Sequence, residues 1–205
     1  SPYYRAVRTD ELTDLVHHAC LLILGQRYAG ERVIGDKTPR YAEYIPVLFR
    51  IFPDAFIVNI VRDPRDVAVS RLNHAFRTGY TRALTEGSDQ RAKLVKNSID
   101  AWLSNVRRAV QAAAAHADRI YTLRYEDLLN DPAAVAGPVF EMLGVFDDPH
   151  TVDQAVAATA FTKMAGRVPG QESRRSFLRK GIAGDWKEGL TPSERDQVAA
   201  RCHVE

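Results

Sequence analysis

The 205 residues predict an α/β fold, a parallel sheet flanked by helices. Two observations carry this. Short apolar, β-branched runs alternate with longer stretches of helical periodicity, the pattern of parallel strands joined by crossover helices. One such run, Phe56-Ile57-Val58-Asn59-Ile60-Val61, passes straight into Arg62-Asp63-Pro64-Arg65-Asp66-Val67-Ala68-Val69-Ser70, which has the chemistry of a helix start. The run reads as a buried strand covered on both faces. Asp63 caps the helix, Pro64 fits a first position that needs no N–H, and Asp66 completes a capping-box-like pair.

In chain order, Thr9 caps a helix over Asp10 to Tyr28. Leu12, Leu15, Val16, Ala19, Leu22 and Ile23 form its expected buried stripe. His17 and His18 fall beside the stripe and read as structural or solvated. Val33 to Gly35 predicts a short strand, which Pro39 keeps from extending. Ala42 to Phe52 is a helix with Ile45, Leu48, Phe49 and Phe52 on one face. After the central strand, a helix runs from Pro64 to about Arg77 and stops at Gly79. A long polar loop, Thr78 to Gln90, reads as functional. Arg91 to His116 is a helix with Leu94, Ile99, Trp102, Leu103, Val106 and Val110 as its stripe, Trp102 reading as core. Arg119 to Tyr125 is a third strand. Helices follow over Tyr125 to Leu128, Pro132 to Leu143 and His150 to Ala158, and Thr191 caps a last one from Pro192.

Composition narrows the function. Hydrophobic residues at 45% and charged ones at 26% fit a globular protein. A net charge of +2, from 28 basic and 26 acidic residues, excludes the broad basic surface that coats nucleic acid. Cys20 and Cys202 form no CxxC, so zinc ribbons and redox dithiols are excluded. No metal-ligand cluster is expected. The apolar run Ala19 to Leu24 is too short to cross a bilayer. With no signal peptide pattern, the expectation is a soluble, cytoplasmic protein.

Anion chemistry concentrates in three places. Arg62 stands at a strand's C-terminal end beside a helix N-terminus, where α/β sheets bind anions. Its fork suits a phosphate, and Ser70, eight residues on, lies two helical turns along. The alternative pairs Arg62 with Asp63 or Asp66. Lys37 sits at the end of the predicted Val33–Gly35 strand and suits a phosphate or sulfate oxygen; the alternative there is an Asp36–Arg40 ion pair. From Arg167 to Lys187 six basic residues face two acidic ones, which reads as an anion site or as a solvated basic loop. His74, one turn after Ser70, reads as a site residue or as packing.

Several of these segments resemble the sulfotransferases that use 3′-phosphoadenosine 5′-phosphosulfate (PAPS). Arg62 to Ser70 resembles their 3′-phosphate-binding segment, which implies that Arg62 and Ser70 hold that phosphate. Arg179-Lys180-Gly181-Ile182-Ala183-Gly184-Asp185-Trp186-Lys187 is similar to a family signature, and Arg179, Lys180 and Gly181 match the residues that close over the same phosphate. Leu123-Arg124-Tyr125-Glu126-Asp127-Leu128 implies Tyr125 on the adenine side. Thr159-Ala160-Phe161-Thr162-Lys163-Met164 resembles Thr-Ser-Phe-x-x-Met, with Thr159 and Phe161 framing the adenine. Ala160 departs from that pattern, removing one polar contact. Gly35-Asp36-Lys37-Thr38-Pro39-Arg40-Tyr41 resembles the Lys-Thr-Pro segment of the bacterial and glycan branch.

The resemblance runs from about Gly35 to Trp186. It implies a P-loop-NTPase-like sulfotransferase fold in a single domain over residues 1–205. The implied activity is transfer of a sulfuryl group from PAPS to an acceptor hydroxyl or amine on a small molecule or glycan, leaving adenosine 3′,5′-bisphosphate. Lys37 would stabilise charge on the sulfate. The cytosolic branch has a catalytic histidine where Pro39 stands, so a carboxylate base is implied. Asp36 is the weaker candidate and a residue upstream of Ser1 the stronger. No Arg-Ser-Gly-Thr-Thr or Lys-Ser-Gly-Thr-Thr phosphosulfate loop occurs, so the first strand and its loop are expected to be absent through N-terminal truncation, leaving a sheet edge open. A related kinase would need a phosphate loop that is also missing. The competing reading is a non-catalytic adenosine-bisphosphate-binding module or an inactive fragment.

Overall fold

The computed structural model describes residues 9–31, 33–80, 85–146 and 148–203. They form two compact units, Ser1–Ile57 with Arg108–Tyr121 and Val58–Arg107 with Thr122–Glu205. The side chains of Thr9 and Leu12, for which a cap and a stripe position are expected, residue Arg32 and part of the Thr78–Gln90 loop lie outside the described residues.

In the first unit, helix α1 (Thr9–Arg27) precedes a 3₁₀ turn (Tyr41–Glu43) and helix α2 (Ile45–Ile51). Ile45 and Phe49, one turn apart, are buried with Ala109 and Ile120, and Ile57, Ala112 and Ala113 pack against them. The Arg119 guanidinium lies 4.4 Å from the Phe49 ring centroid and donates to the Pro53 carbonyl. Two expectations fail here. Val33 to Gly35 forms no strand, and Val33 and Ile34 are exposed. β-Branched residues favour extension, but a strand also needs a neighbour's N–H and C=O groups. The α1 stripe is real in period but not in burial, since Leu15, Leu22 and Ile23 are each about two-thirds exposed at 65%, 67% and 65%. The helix instead turns Val16, His17 and Cys20 partly inward. His17 bonds through Nδ1 to the Ile51 carbonyl and packs on Phe52, a structural role.

The sheet has two strands, β1 (Ile57–Val61) and β2 (Ile120–Arg124). The Ile57 N–H donates to the Arg119 carbonyl at 2.8 Å and the Asn59 amide to the Thr122 hydroxyl at 3.3 Å. Pairing that advances in the same direction on both chains is parallel. β1 is not covered on both faces as expected, for Val58 and Ile60 are exposed while Ile57, Asn59 and Val61 are half-buried.

In the second unit, α3 (Pro64–Arg77), α4 (Asp89–Ala115, reaching into the first unit's residues) and α10 (Pro192–Cys202) share a core. Ala68, Val69 and Leu72 meet Val95, Ile99, Leu190, Val198 and Cys202, with Leu94, Trp102, Leu103 and Trp186 around them. Val110 of the expected α4 stripe is exposed; Ala109 takes the buried position beside it. Helices α5 (Tyr125–Asn130), α6 (Pro132–Met142) and α7 (Pro149–Thr159) match the sequence reading. Two short ones were not legible in the sequence, α8 (Phe161–Ala165) and α9 (Trp186–Gly189). At Gly189 a Cβ would fall within 3.0 Å of the Val69 methyl groups, so only glycine lets α9 lie this close to α3. Arg91 grips Glu194 with two bonds of 2.7 Å and caps the Gly189 carbonyl at 2.9 Å. Both cysteines are free, and no described helix is long and apolar enough to cross a membrane.

Candidate functional site

The site is built on the end of β1 and the start of α3. Asp63 caps α3, its carboxylate accepting the Arg65 N–H at 2.8 Å and the Arg65 guanidinium at 2.8–3.1 Å. The Arg65 guanidinium in turn lies over Trp186, its carbon 3.9 Å from the ring centroid. The backbone on either side of the Arg62 carbonyl is fixed. That carbonyl accepts the Trp102 indole N–H at 2.8 Å, and the next N–H, of Asp63, donates to Glu126 at 2.8 Å. Trp102 is therefore more than the core residue its apolar neighbours suggested.

Arg62 is held in place with capacity to spare. Its guanidinium lies 4.5 Å from the Tyr125 ring centroid, and its Nη2 donates to the Ile182 carbonyl at 3.3 Å and approaches Asp66 at 3.6 Å. Its Nε is buried without a hydrogen-bond partner, the lone such side-chain atom among the described residues. A buried N–H of a cation left unpaired is costly, so this atom marks a place suited to an anionic acceptor. Arg62 does not pair with Asp63, which Arg65 occupies; it does form an ion pair with Asp66, at 3.6 Å.

The basic loop meets Arg62 through the Ile182 carbonyl. Gly181 has φ 65°, in the left-handed region, and a Cβ there would lie within 3.0 Å of the Phe161 ring. Glycine is required twice over, for the turn and for the aromatic contact. Arg167 holds the loop from within, donating to the carbonyls of Gln171, Leu178 and Arg179 at 2.5–2.9 Å. Arg179 bonds to Glu172 at 2.8 Å and to Asp185. Lys180 bonds to Asp185 at 2.5 Å and approaches Glu188 at 3.4 Å. The Asp185 bond raises the Lys180 ammonium above its ordinary value. Burial pushes the Asp185 carboxyl up, but the bonds from Lys180 and Arg179 outweigh it and hold it low. The basic cluster thus divides: Arg179 and Lys180 are paired with acids of the same stretch, Arg167 is spent on loop carbonyls, and Arg174, Arg175 and Lys187 are exposed as in a solvated loop.

The sequence-derived residues therefore fall into three groups. Arg62 meets Tyr125 and the Ile182 carbonyl, and Phe161 packs on Gly181 one residue before it, while the Arg179 and Lys180 side chains turn to Glu172, Asp185 and Glu188. Ser70 and Thr159 are exposed, and the Thr159 hydroxyl is spent on the Ala155 carbonyl at 2.7 Å. Asp36 and Lys37 belong to the first unit and are exposed; Asp36 accepts the Tyr41 hydroxyl, a bond that raises the Tyr41 pKa. Arg40 does not pair with Asp36, because Glu43, one helical turn on, takes its fork at 2.8–3.1 Å. His74 bonds to Arg77 at 3.0 Å on the exposed side of α3.

Asp66 departs most from the sequence reading. It does not close a capping box on Asp63. Its two oxygens accept the Gly184 N–H at 2.8 Å and the Trp186 N–H at 2.9 Å, and it is 1% exposed. No local signal announces partners 118 and 120 positions away. Three groups of site-shaping residues escaped the sequence for this reason: Asp66, Trp102 and the Glu126–Asp63 link.

Comparison with known proteins gives the family. The model of the sulfotransferase family matches residues 5–149, more than half of the chain. The chain belongs to the sulfotransferase family. Guinea pig (Cavia porcellus) 3-beta-hydroxysteroid sulfotransferase is 25% identical over 190 residues, 83% of this chain and 64% of that one. Omega-hydroxy-beta-dihydromenaquinone-9 sulfotransferase Stf3 of Mycobacterium bovis is 32% identical over 118 residues, 54% of this chain and 28% of that one. This sulfotransferase-family chain thus spans less than two-thirds of the length of these relatives. A crystal structure of mouse sulfotransferase SULT7A1 complexed with PAP superposes with a TM-score of 0.56 at 19% identity, covering 72% of this chain and 57% of that one, which establishes a shared fold.

Proposed function

We propose that this sulfotransferase-family chain serves sulfuryl transfer from PAPS to an acceptor hydroxyl or amine, and that residues 1–205 form one such domain. The observation that carries the nucleotide part is Arg62: stacked on Tyr125, tied to Ile182, and left with a buried Nε that lacks a partner. Those features fit a ribose 3′-phosphate beside an adenine. When bound, PAPS supplies the sulfuryl group; the residues here bind and orient it. Arg62 would take the 3′-phosphate, with Gly181 presenting loop backbone, Ser70 adding a hydroxyl, and Tyr125, Thr159 and Phe161 framing the adenine. Arg179 and Lys180 would join by exchanging Asp185 and Glu172 for the phosphate, one set of anionic partners for another.

Lys37 is the proposed cation for the sulfate oxygens, and Asp36 remains a base candidate, one that would have to give up the Tyr41 hydroxyl. Pro39 at the position of the cytosolic branch's histidine supports an affinity with the bacterial and glycan branch. The acceptor is a small molecule or glycan; the guinea pig and mycobacterial relatives bear the names of steroid and menaquinone-type substrates. Two free cysteines fit a reducing, cytoplasmic setting.

Titration calorimetry with adenosine 3′,5′-bisphosphate tests the binding half. Arg62→Ala is expected to weaken binding by roughly 2 kcal/mol or more, the scale of a charge-assisted bond; an unchanged affinity overturns the site. Transfer of labelled sulfate from PAPS to an acceptor tests the catalytic half. Binding without transfer would leave a nucleotide-binding module.

A further inference from the structure

The geometry points to Asp66 as a positioning residue that sets the protein's discrimination for a 3′-phosphorylated nucleotide. The inference rests on the 3′-phosphate site proposed above and deepens it. Asp66 is buried at the first turn of α3, the helix that Arg62 leads into. Three donors converge on its carboxylate: the Gly184 N–H at 2.8 Å, the Trp186 N–H at 2.9 Å and, further out, the Arg62 guanidinium at 3.6 Å. The first two hold the end of the Arg179–Asp185 loop; the third is the cation proposed for the phosphate. One carboxylate therefore fixes the spacing between the two parts of the site.

The chemistry requires a carboxylate at this place. An ionised Asp accepts at both oxygens, whereas an Asn presents an NH₂ at one of them. In Asp66→Asn either Gly184 or Trp186 would face a donor with its own donor, and Arg62 would lose its negative neighbour. Asp66 would not touch the nucleotide itself. Its effect passes through the loop backbone and Arg62, so it should fall on the 3′-phosphate and spare groups bound elsewhere.

The experiment compares adenosine 3′,5′-bisphosphate with adenosine 5′-monophosphate by titration calorimetry, on the natural protein and on Asp66→Asn, with thermal melts of both. The expected result is a natural protein that prefers the bisphosphate and a folded variant whose preference falls at least tenfold while its monophosphate affinity stays within about twofold. A folded variant that keeps the full preference overturns the inference and leaves the site proposal standing. So does an equal loss for both nucleotides, which marks Asp66 as merely structural. A natural protein with no preference removes the site proposal, and this inference with it. Should Asp66→Asn not fold, amide hydrogen exchange on the natural protein decides: slow exchange at Gly184 and Trp186, comparable to the α3 interior, supports the clamp, and exchange at the free-peptide rate overturns it.

Discussion

At the residue scale, backbone freedom at one position decides whether the basic loop can lie where it does. Gly181 combines φ 65° with a ring packed where a Cβ would be. Gly181→Ala meets both the cost of a strained backbone and that of overpacking, each about 1–3 kcal/mol. The loop relieves part of this by moving away from Phe161. The expected outcome in thermal melts and nucleotide titration is a lowered midpoint together with weaker bisphosphate binding; a variant unchanged in both would show that the Gly181–Phe161 contact does not shape the site. Arg62 is specific in the same sense. Its planar fork stacks on Tyr125 and directs separate N–H groups to Ile182 and to the orphaned direction. A lysine cannot reproduce that, and the Arg62→Ala loss proposed above should not be recovered by Arg62→Lys.

At the element scale, α3 and α10 show what holds the second unit together. The Thr191–Glu194 capping box starts α10, and the same Glu194 carboxylate takes both bonds from Arg91 of α4. Burial pushes the Glu194 carboxyl up, but the Arg91 fork and the Thr191 N–H and hydroxyl bring it below its ordinary value. A folded-state pKa below the unfolded one gives stability that is whole above the ordinary carboxylate range and is lost as pH falls through the folded value. Asp185, also held low, contributes in the same direction. The stability of the second unit is thus expected to decline below about pH 4–5. Glu194→Gln should lower stability by about 2 kcal/mol at neutral pH and shrink that acid dependence. Chemical denaturation across pH checks this, and an unchanged acid slope in the variant would contradict it.

These same elements mark what a sequence can reveal. The start of α3 was legible because caps act over a few residues: Asp63 and Pro64 do what their types and spacing announce. The boundaries of α4, β2 and α5 followed for similar local reasons. The strand over Val33–Gly35 and the buried stripe of α1 were misread because pairing and burial depend on what lies opposite, and periodicity says only which residues share a face. The site was half legible. Its cations and its aromatic partners stand in recognisable segments, but Asp66 was read as a local cap while its true partners lie beyond a hundred positions of intervening chain. The internal pairing of Arg179 and Lys180 with Asp185 was not predicted either, although Asp185 stands five residues from Lys180.

At the scale of the whole molecule, the second unit gathers residues from β1, α3, the start of α5, α8 and the loop before α9 around the proposed anion site. The central claim is that Arg62 and the Arg179–Gly181 loop bind one 3′-phosphate together, across more than a hundred residues of sequence. Pairing within the loop makes that claim demanding, because Arg179 must trade Asp185 and Glu172 for the ligand. The most direct measurement is a double-mutant cycle on adenosine 3′,5′-bisphosphate affinity, using Arg62→Ala, Arg179→Ala and the pair. Two cations on one phosphate predict that each single change weakens binding and that the double change loses less than the sum, with a coupling energy of at least about 0.5–1 kcal/mol. Strict additivity, or an Arg179→Ala variant that binds as tightly as the natural protein, would contradict it.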